Sequence, residues 1–190
     1  LLRSVREYPG TGGVIQDGGR RLLNFSSNDY LNLANDPRLG AGAERHIEKW
    51  GAGAGASRLV SGTLPCHVEL EKRLAALKGY PAALLFGSGF LANIGIIPAL
   101  IGKGDEVFAD RLVHASIIDA CILSRANLLR FNHNNPDSLR TLIGSRPRKC
   151  KRLIVTESVF SMDGDIAPLA DIAAIAAEHD ATLMVDEAHA

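Results

Sequence analysis

The amino-acid sequence predicts an α/β protein with a mostly parallel β-sheet and helices on both of its faces. Three observations predict it. From residue 82 onward, apolar runs of strand length alternate with runs of helical length, the pattern of βαβ units. The helical runs carry one-sided apolar stripes, as at Leu169, Ile172, Ile175 and Ala176. The 190 residues are 46% hydrophobic and 22% charged, an ordinary globular composition in a chain long enough for one substantial core.

The elements follow in order. Residues 1–35 form an N-terminal segment rich in turns, with Gly10, Gly12-Gly13 and Gly18-Gly19 around short strand-like runs such as Leu22–Phe25. Residues 36–190 form the main domain. Pro37 opens a helix that runs through Trp50, and Gly51–Ser57 is too glycine-rich for helix or strand, which suits a close-approach loop. A helix starts at Thr63 or Pro65, carries Leu70, Leu74 and Leu77 on one face and a Glu69–Arg73 pair on another, and stops at Gly79. Strands are then expected at 82–86, 106–109, 128–131, 153–156 and 182–185, with helices at 90–101, 114–125, 136–143 and 168–179.

Several function classes are excluded. The formal net charge is zero, so nothing points to nucleic acid or an acidic membrane surface. Cys66, Cys121 and Cys150 are odd in number and far apart, which indicates neither a zinc site nor a disulfide framework and suits a reducing, cytoplasmic setting. Pro81 to Gly102 carries no charge, but Gly87-Ser88-Gly89, Asn93, Gly95 and Pro98 interrupt it, so a strand, turn and helix is expected there in place of a membrane span. Asp186-Glu-Ala-His189 also occurs as the Walker B element of a helicase group. That reading needs an upstream Gly-x-x-x-x-Gly-Lys-Ser/Thr, and the only Gly-Lys pair, Gly102-Lys103, is followed by Gly104.

In open parallel sheets ligands sit beyond the carboxyl ends of the strands. At the first such end, Phe86-Gly-Ser-Gly-Phe90 leads directly into a helix, where unpaired N–H groups and the dipole favour an anion such as phosphate. At the last, Val185-Asp-Glu-Ala-His189 brings a carboxylate out of a buried strand, which calls for a cationic partner; a helix-capping Asp186 with a surface His189 is the alternative. His114 opens a helix, as a cap or as a ring that stacks on a flat ligand. Ser161, Asp163 and Asp165 follow a strand in a loop with Gly164 but lack the spacing of a calcium loop, and no metal is expected.

Taken together, these segments resemble the α-oxoamine synthases, pyridoxal-phosphate (PLP) enzymes of fold type I. The resemblance rests on Asn24–Leu31, Gly55–Thr63, His67-x-x-Leu-Glu71, Phe86–Phe90, Asp110–Ser116, Glu157–Asp165 and Val185–His189, seven blocks in family order. It implies the large domain of a fold-type I PLP-dependent transferase, with pyridoxal 5'-phosphate as cofactor. Asp186 would pair with the pyridine nitrogen, His114 would stack on the ring, and Ser161 and His189 would hydrogen-bond its phenolic oxygen. Ser88, Gly89 and Phe90 would cradle the phosphate. Asn28 and Glu157 would face the substrate, and Asp186, His114 and His189 are the expected catalytic groups. The implied reaction joins an amino acid, L-alanine, to an acyl-CoA, a pimeloyl thioester, with loss of carbon dioxide, as in biotin synthesis. The implied form is a cytoplasmic homodimer with no nucleic-acid or membrane partner.

The departures are specific. The resemblance puts the Schiff-base lysine a few dozen residues beyond Asp186, and Lys49, Lys72, Lys78, Lys103, Lys149 and Lys151 match none of its motif. The chain opens at Leu1 without Met, shows no basic-then-apolar leader, and closes on a strand running into a site loop. It is expected to be a fragment lacking the C-terminal part, inactive and unstable alone. Asn32 stands where the family has Gly. Asp186-Glu-Ala-His-Ala190 differs from the Asp-Asp-Ala-His-Gly of the biotin branch and leans toward relatives that use glycine or serine. A member that makes 2-amino-3-ketobutyrate and a non-catalytic partner subunit are the alternatives. Arg3 and Arg6 are the candidates for a substrate-binding arginine.

Overall fold

The structure is a computed structural model that describes residues 4–9, 12–147 and 149–190. Arg3 lies outside the described residues, and Arg6 is exposed. The chain divides into two compact units, Leu1–Leu84 and Leu85–Ala190. The expected boundary at residue 35 lies within the first unit.

The first unit holds a hairpin and two helices. Strands β1 (Val14–Asp17) and β2 (Arg20–Leu23) pair antiparallel across Gly18 and Gly19, both with positive φ. Helix α1 (Pro37–Trp50) begins at Asp36, whose side chain accepts the Arg38 N–H, with Pro37 supplying a φ suited to the first helical turn. Helix α2 (Pro65–Lys78) ends at Gly79 in the left-handed conformation. Its Leu70 and Leu77 are exposed within this unit, and Ala75 is its one buried residue among those described. The Glu69–Arg73 pair forms at 2.7 Å. Arg58 makes a two-pronged pair with Glu71 at 3.0 and 3.1 Å, which ties the Gly55–Thr63 block to α2. Gly62 admits no side chain, since a Cβ there would lie 1.9 Å from the Ala56 carbonyl oxygen.

The second unit is the expected parallel sheet. Strands β3 (Glu106–Asp110), β4 (Asn127–Phe131), β5 (Arg152–Glu157) and β6 (Thr182–Asp186) lie in the order β4-β3-β5-β6, every pair parallel. Alternate residues of the central strands feed two cores. Val107, Ala109, Leu153 and Val155 pack with Ile97 of α3 (Gly89–Leu100), with Ile101 at its C-cap, and with Ile117, Ala120 and Cys121 of α4 (Ala115–Ser124). Phe108 and Ile154 point the other way, onto Leu139 and Ile143 of α5 (Pro136–Gly144) and Ile172, Ile175 and Ala176 of α6 (Leu169–Glu178). Each fully buried Ile, Leu or Phe side chain stabilises the fold by roughly 1.5–3 kcal/mol. The stripe expected at Leu169, Ile172, Ile175 and Ala176 faces this second core, with Leu169 at its margin.

One expectation is overturned. Residues 82–86 have strand composition but form no ladder, because a strand needs a hydrogen-bonded neighbour and none of the four sheet strands takes that place. Phe86 instead lays its ring over Gly95, where a Cβ would come within 2.8 Å of the ring. That contact accounts for a glycine inside α3. No helix among the described residues is long and apolar enough to cross a membrane.

Candidate active site

The carboxyl ends of β5 and β6 and the amino ends of α3 and α4 meet at a cavity of about 180 Å³. It is lined by Gly89, Phe90, Asn93, His114, Ser116, Glu157, Asp186, Ala188 and His189. Six of the residues singled out in the sequence therefore share one cavity: Gly89, Phe90, His114, Glu157, Asp186 and His189. Ser88 caps the helix that supplies two of them, its hydroxyl accepting the Leu91 N–H at 3.2 Å. The Ala92 N–H is taken by the Ser88 carbonyl. Gly89 and Phe90 line the cavity, and as the first residues of α3 their N–H groups have no intrahelical acceptor. An anion placed there gains both donors and the helix dipole.

Asp186 ends β6 with both carboxylate oxygens held. One accepts the Ala188 N–H at 3.0 Å, and the other accepts the side-chain amide of Asn93 at 3.0 Å. Asp186 thus closes a turn at Ala188, where the sequence alternative had a helix cap. This leaves each oxygen a further lone pair. The Asn93 amide also donates to Ser116 Oγ at 2.9 Å, and Ser116 Oγ lies 2.7 Å from His114 Nδ1. His114 is the N-cap of α4, its Nδ1 accepting the Ser116 N–H at 3.2 Å, which places the ring proton on Nε2. One chain of hydrogen bonds thus fixes the Asp186 carboxylate and the His114 ring together.

Asn93 and Ser116 were not recognised as site residues from sequence. The available signal was a lone amide in an uncharged helical run, since a buried polar side chain requires a partner. Asn93 is only 5% exposed, and its partners come from β6 and α4.

Glu157 ends β5 directly opposite Asp186 in the ladder. Its carboxylate accepts the His114 N–H at 2.6 Å. Burial pushes its pKa up, the Asp186 charge adds to the rise, and the His114 hydrogen bond opposes it. Ser161 sits on an exposed turn after β5, outside the cavity lining. Asn28 belongs to the first unit, is exposed, and accepts a hydrogen bond from the Tyr30 hydroxyl at 3.4 Å.

Comparison with known proteins supplies the context. The family model described as aminotransferase class I and II matches residues 20–190. The 8-amino-7-oxononanoate synthase of Geobacter metallireducens is 53% identical over 100% of this chain and 49% of its own. The enzyme of that name from Anaeromyxobacter sp. (strain Fw109-5) is 54% identical over 94% of this chain and 45% of its own. The chain spans about half the length of the curated relatives it matches. Among solved structures, Sphingomonas wittichii serine palmitoyltransferase superposes with a TM-score of 0.89 at 35% identity, over 92% of this chain and 44% of that one. The 8-amino-7-oxononanoate synthase of Francisella tularensis gives 0.72 at 34%, over 86% and 44%. A serine palmitoyltransferase from S. paucimobilis, solved with a bound PLP–myriocin aldimine, gives 0.88 at 37%, over 92% and 44%. The matched residues include every cavity-lining position, the fold is that of a PLP-dependent fold-type I transferase, and the chain belongs to the aminotransferase class I and II family, on its α-oxoamine synthase branch.

Proposed function

We propose that this chain binds pyridoxal 5'-phosphate in the strand-end cavity and serves a decarboxylating condensation of L-alanine with a pimeloyl thioester, the 8-amino-7-oxononanoate synthase reaction. The observation that carries the reading is one cavity lined both by the α3 amino end and by a doubly held carboxylate. The N–H groups of Gly89 and Phe90, with the Ser88 cap, suit a phosphate. Asp186 suits a protonated pyridine nitrogen, and the Asn93 and Ala188 donors hold its oxygens in place. Bound there, the cofactor supplies an electron sink for charge developing at the substrate α-carbon.

The protein's part is orientation and charge. His114 presents a ring whose direction is set by Ser116 and the start of α4. His189 and Ser161 are assigned to the phenolic oxygen. Glu157, whose pKa burial raises, is assigned to substrate binding, and the family resemblance assigns Asn28 the same role. Asp186, His114 and His189 are the groups assigned catalytic roles. We assign residues 36–190 to the PLP-binding large domain, in a cytoplasmic homodimer. Cys66, Cys121 and Cys150 all carry free thiols, as a reducing compartment permits.

The test is a panel of L-alanine, glycine and L-serine against pimeloyl, acetyl and palmitoyl thioesters, using the full-length protein and following CoA release. The reading predicts the highest kcat/KM for L-alanine with the pimeloyl donor. Faster turnover of glycine with acetyl-CoA would move the assignment to a 2-amino-3-ketobutyrate CoA ligase. No turnover of any pair by PLP-loaded protein would indicate a non-catalytic partner subunit.

A further inference from the structure

The turn that carries Ser161 is tied to the sheet by a residue that the proposed chemistry does not use. His133 follows β4 and sits between two carboxylates. Its Nδ1 lies 2.9 Å from Asp110 Oδ1, at the fully buried end of β3, and its Nε2 lies 2.8 Å from Asp165 Oδ2. Both ring nitrogens face carboxylate acceptors, an arrangement satisfied in full by the doubly protonated ring. Asn134, in the left-handed conformation at φ 48°, repeats the bridge. Its N–H donates to Asp110 Oδ2 at 2.8 Å, and its side-chain amide donates to Asp165 Oδ2 at 2.7 Å. The His133 ring meets Phe160 edge-on, with centroids 4.4 Å apart. Phe160 and Asp165 close the turn between them, the Phe160 N–H donating to the Asp165 carbonyl at 3.0 Å and the Gly164 N–H to the Phe160 carbonyl at 2.8 Å.

We propose that His133 is a positioning residue that clasps the Ser161–Asp165 turn to the carboxyl end of β3 and thereby sets where Ser161 stands. The assignment of Ser161 to the cofactor rests on the function proposed above, whereas the clasp stands on geometry alone. The acids facing the ring are Asp110 from β3 and Asp165 and Asp163 from the turn. Burial disfavours the charged ring, but the hydrogen bonds and charges of Asp110 and Asp165 outweigh it and raise the pKa. His133 is therefore spoken for as a donor. The grouping of His133, Asp163 and Asp165 reads as a clasp in preference to a cation site, since neither nitrogen keeps a lone pair for a metal.

The experiment uses the full-length protein and the variants His133→Phe, Ser161→Ala and their double. His133→Phe keeps the ring against Phe160 and removes both donors. Amide exchange at Phe160 and Gly164 should accelerate about tenfold or more in His133→Phe, with the β3 and β5 amides unchanged. In wild type the protection at those two amides should fall as pH rises through the His133 titration, and in His133→Phe it should not. Affinity for pyridoxal phosphate, read from the absorbance of the bound cofactor, should weaken about tenfold in Ser161→Ala and in His133→Phe, and no further in the double. Unchanged protection in His133→Phe overturns the clasp. Additive losses of affinity overturn the link through Ser161. No saturable binding by wild type defeats the proposed function and leaves the exchange result to decide the clasp. Should His133→Phe not fold, Asp165→Ala removes the same bridge from its exposed end and must give the same accelerated exchange.

Discussion

Asn93 carries more of the candidate site than its place in an apolar helix suggests. Its amide holds Asp186 Oδ2 and Ser116 Oγ at once, so replacing it with Leu takes a donor from a half-buried carboxylate and from a buried hydroxyl. Asn93→Leu is expected to cost about 1–3 kcal/mol of stability, measured by urea unfolding, and to weaken pyridoxal-phosphate affinity in the same variant. Glu157 gives a prediction of opposite sign. Its pKa is raised in the folded state by burial, so its contribution to stability is full below the ordinary carboxyl value of 4.5 and is lost as pH rises through the raised one. Glu157→Gln keeps an acceptor for the His114 N–H. The variant is therefore expected to unfold at higher urea than wild type at pH 7, with the difference vanishing under acid conditions, while turnover falls. Cys121 makes a contrast. Burial pushes its thiol up to about 11, so it stays protonated and packs as an apolar side chain.

The elements that form the sheet and its cover were legible because each announces itself locally. Pro37, Pro65 and Pro136 open helices, Gly79 closes one, and the runs at 107–109 and 153–155 are apolar on both faces, as buried parallel strands must be. What was not legible depends on partners distant in sequence. Residues 82–86 have strand composition without a ladder, and composition cannot report a missing neighbour. Gly89, Phe90, His114, Glu157, Asp186 and His189 converge as expected, since all lie at strand ends or helix starts. Asn93 was missed because its meaning comes from β6, ninety-three residues away in the chain. His133 was missed likewise, since its two carboxylates come from β3 and from the turn after β5. Gly95 is an element-scale test of this packing. Gly95→Ala places a methyl 2.8 Å from the Phe86 ring, and the strain is expected to outweigh the gain in helix propensity, with a net loss of about 1–3 kcal/mol by thermal or urea unfolding.

At the scale of the whole molecule, the clasp contributes a pH dependence to stability through both of its partners. His133 titrates above its ordinary 6.5, so its contribution is full below that value and is lost as pH rises through the raised one. Asp165 titrates below its ordinary 3.8, and its contribution is lost as pH falls through the lowered one. The difference in urea midpoint between wild type and His133→Phe is therefore expected to be level between these limits and to shrink at the alkaline side. The central claim is that the cavity at the strand ends holds pyridoxal phosphate through Asp186. The direct measurement is a pyridoxal-phosphate titration of the full-length wild-type protein and of Asp186→Ala, with far-ultraviolet circular dichroism to show that the fold survives. The account predicts saturable binding by wild type and, in the variant, affinity about 10²-fold weaker or worse, the scale of losing a hydrogen-bonded charge partner. Equal affinity in the two folded proteins would contradict it.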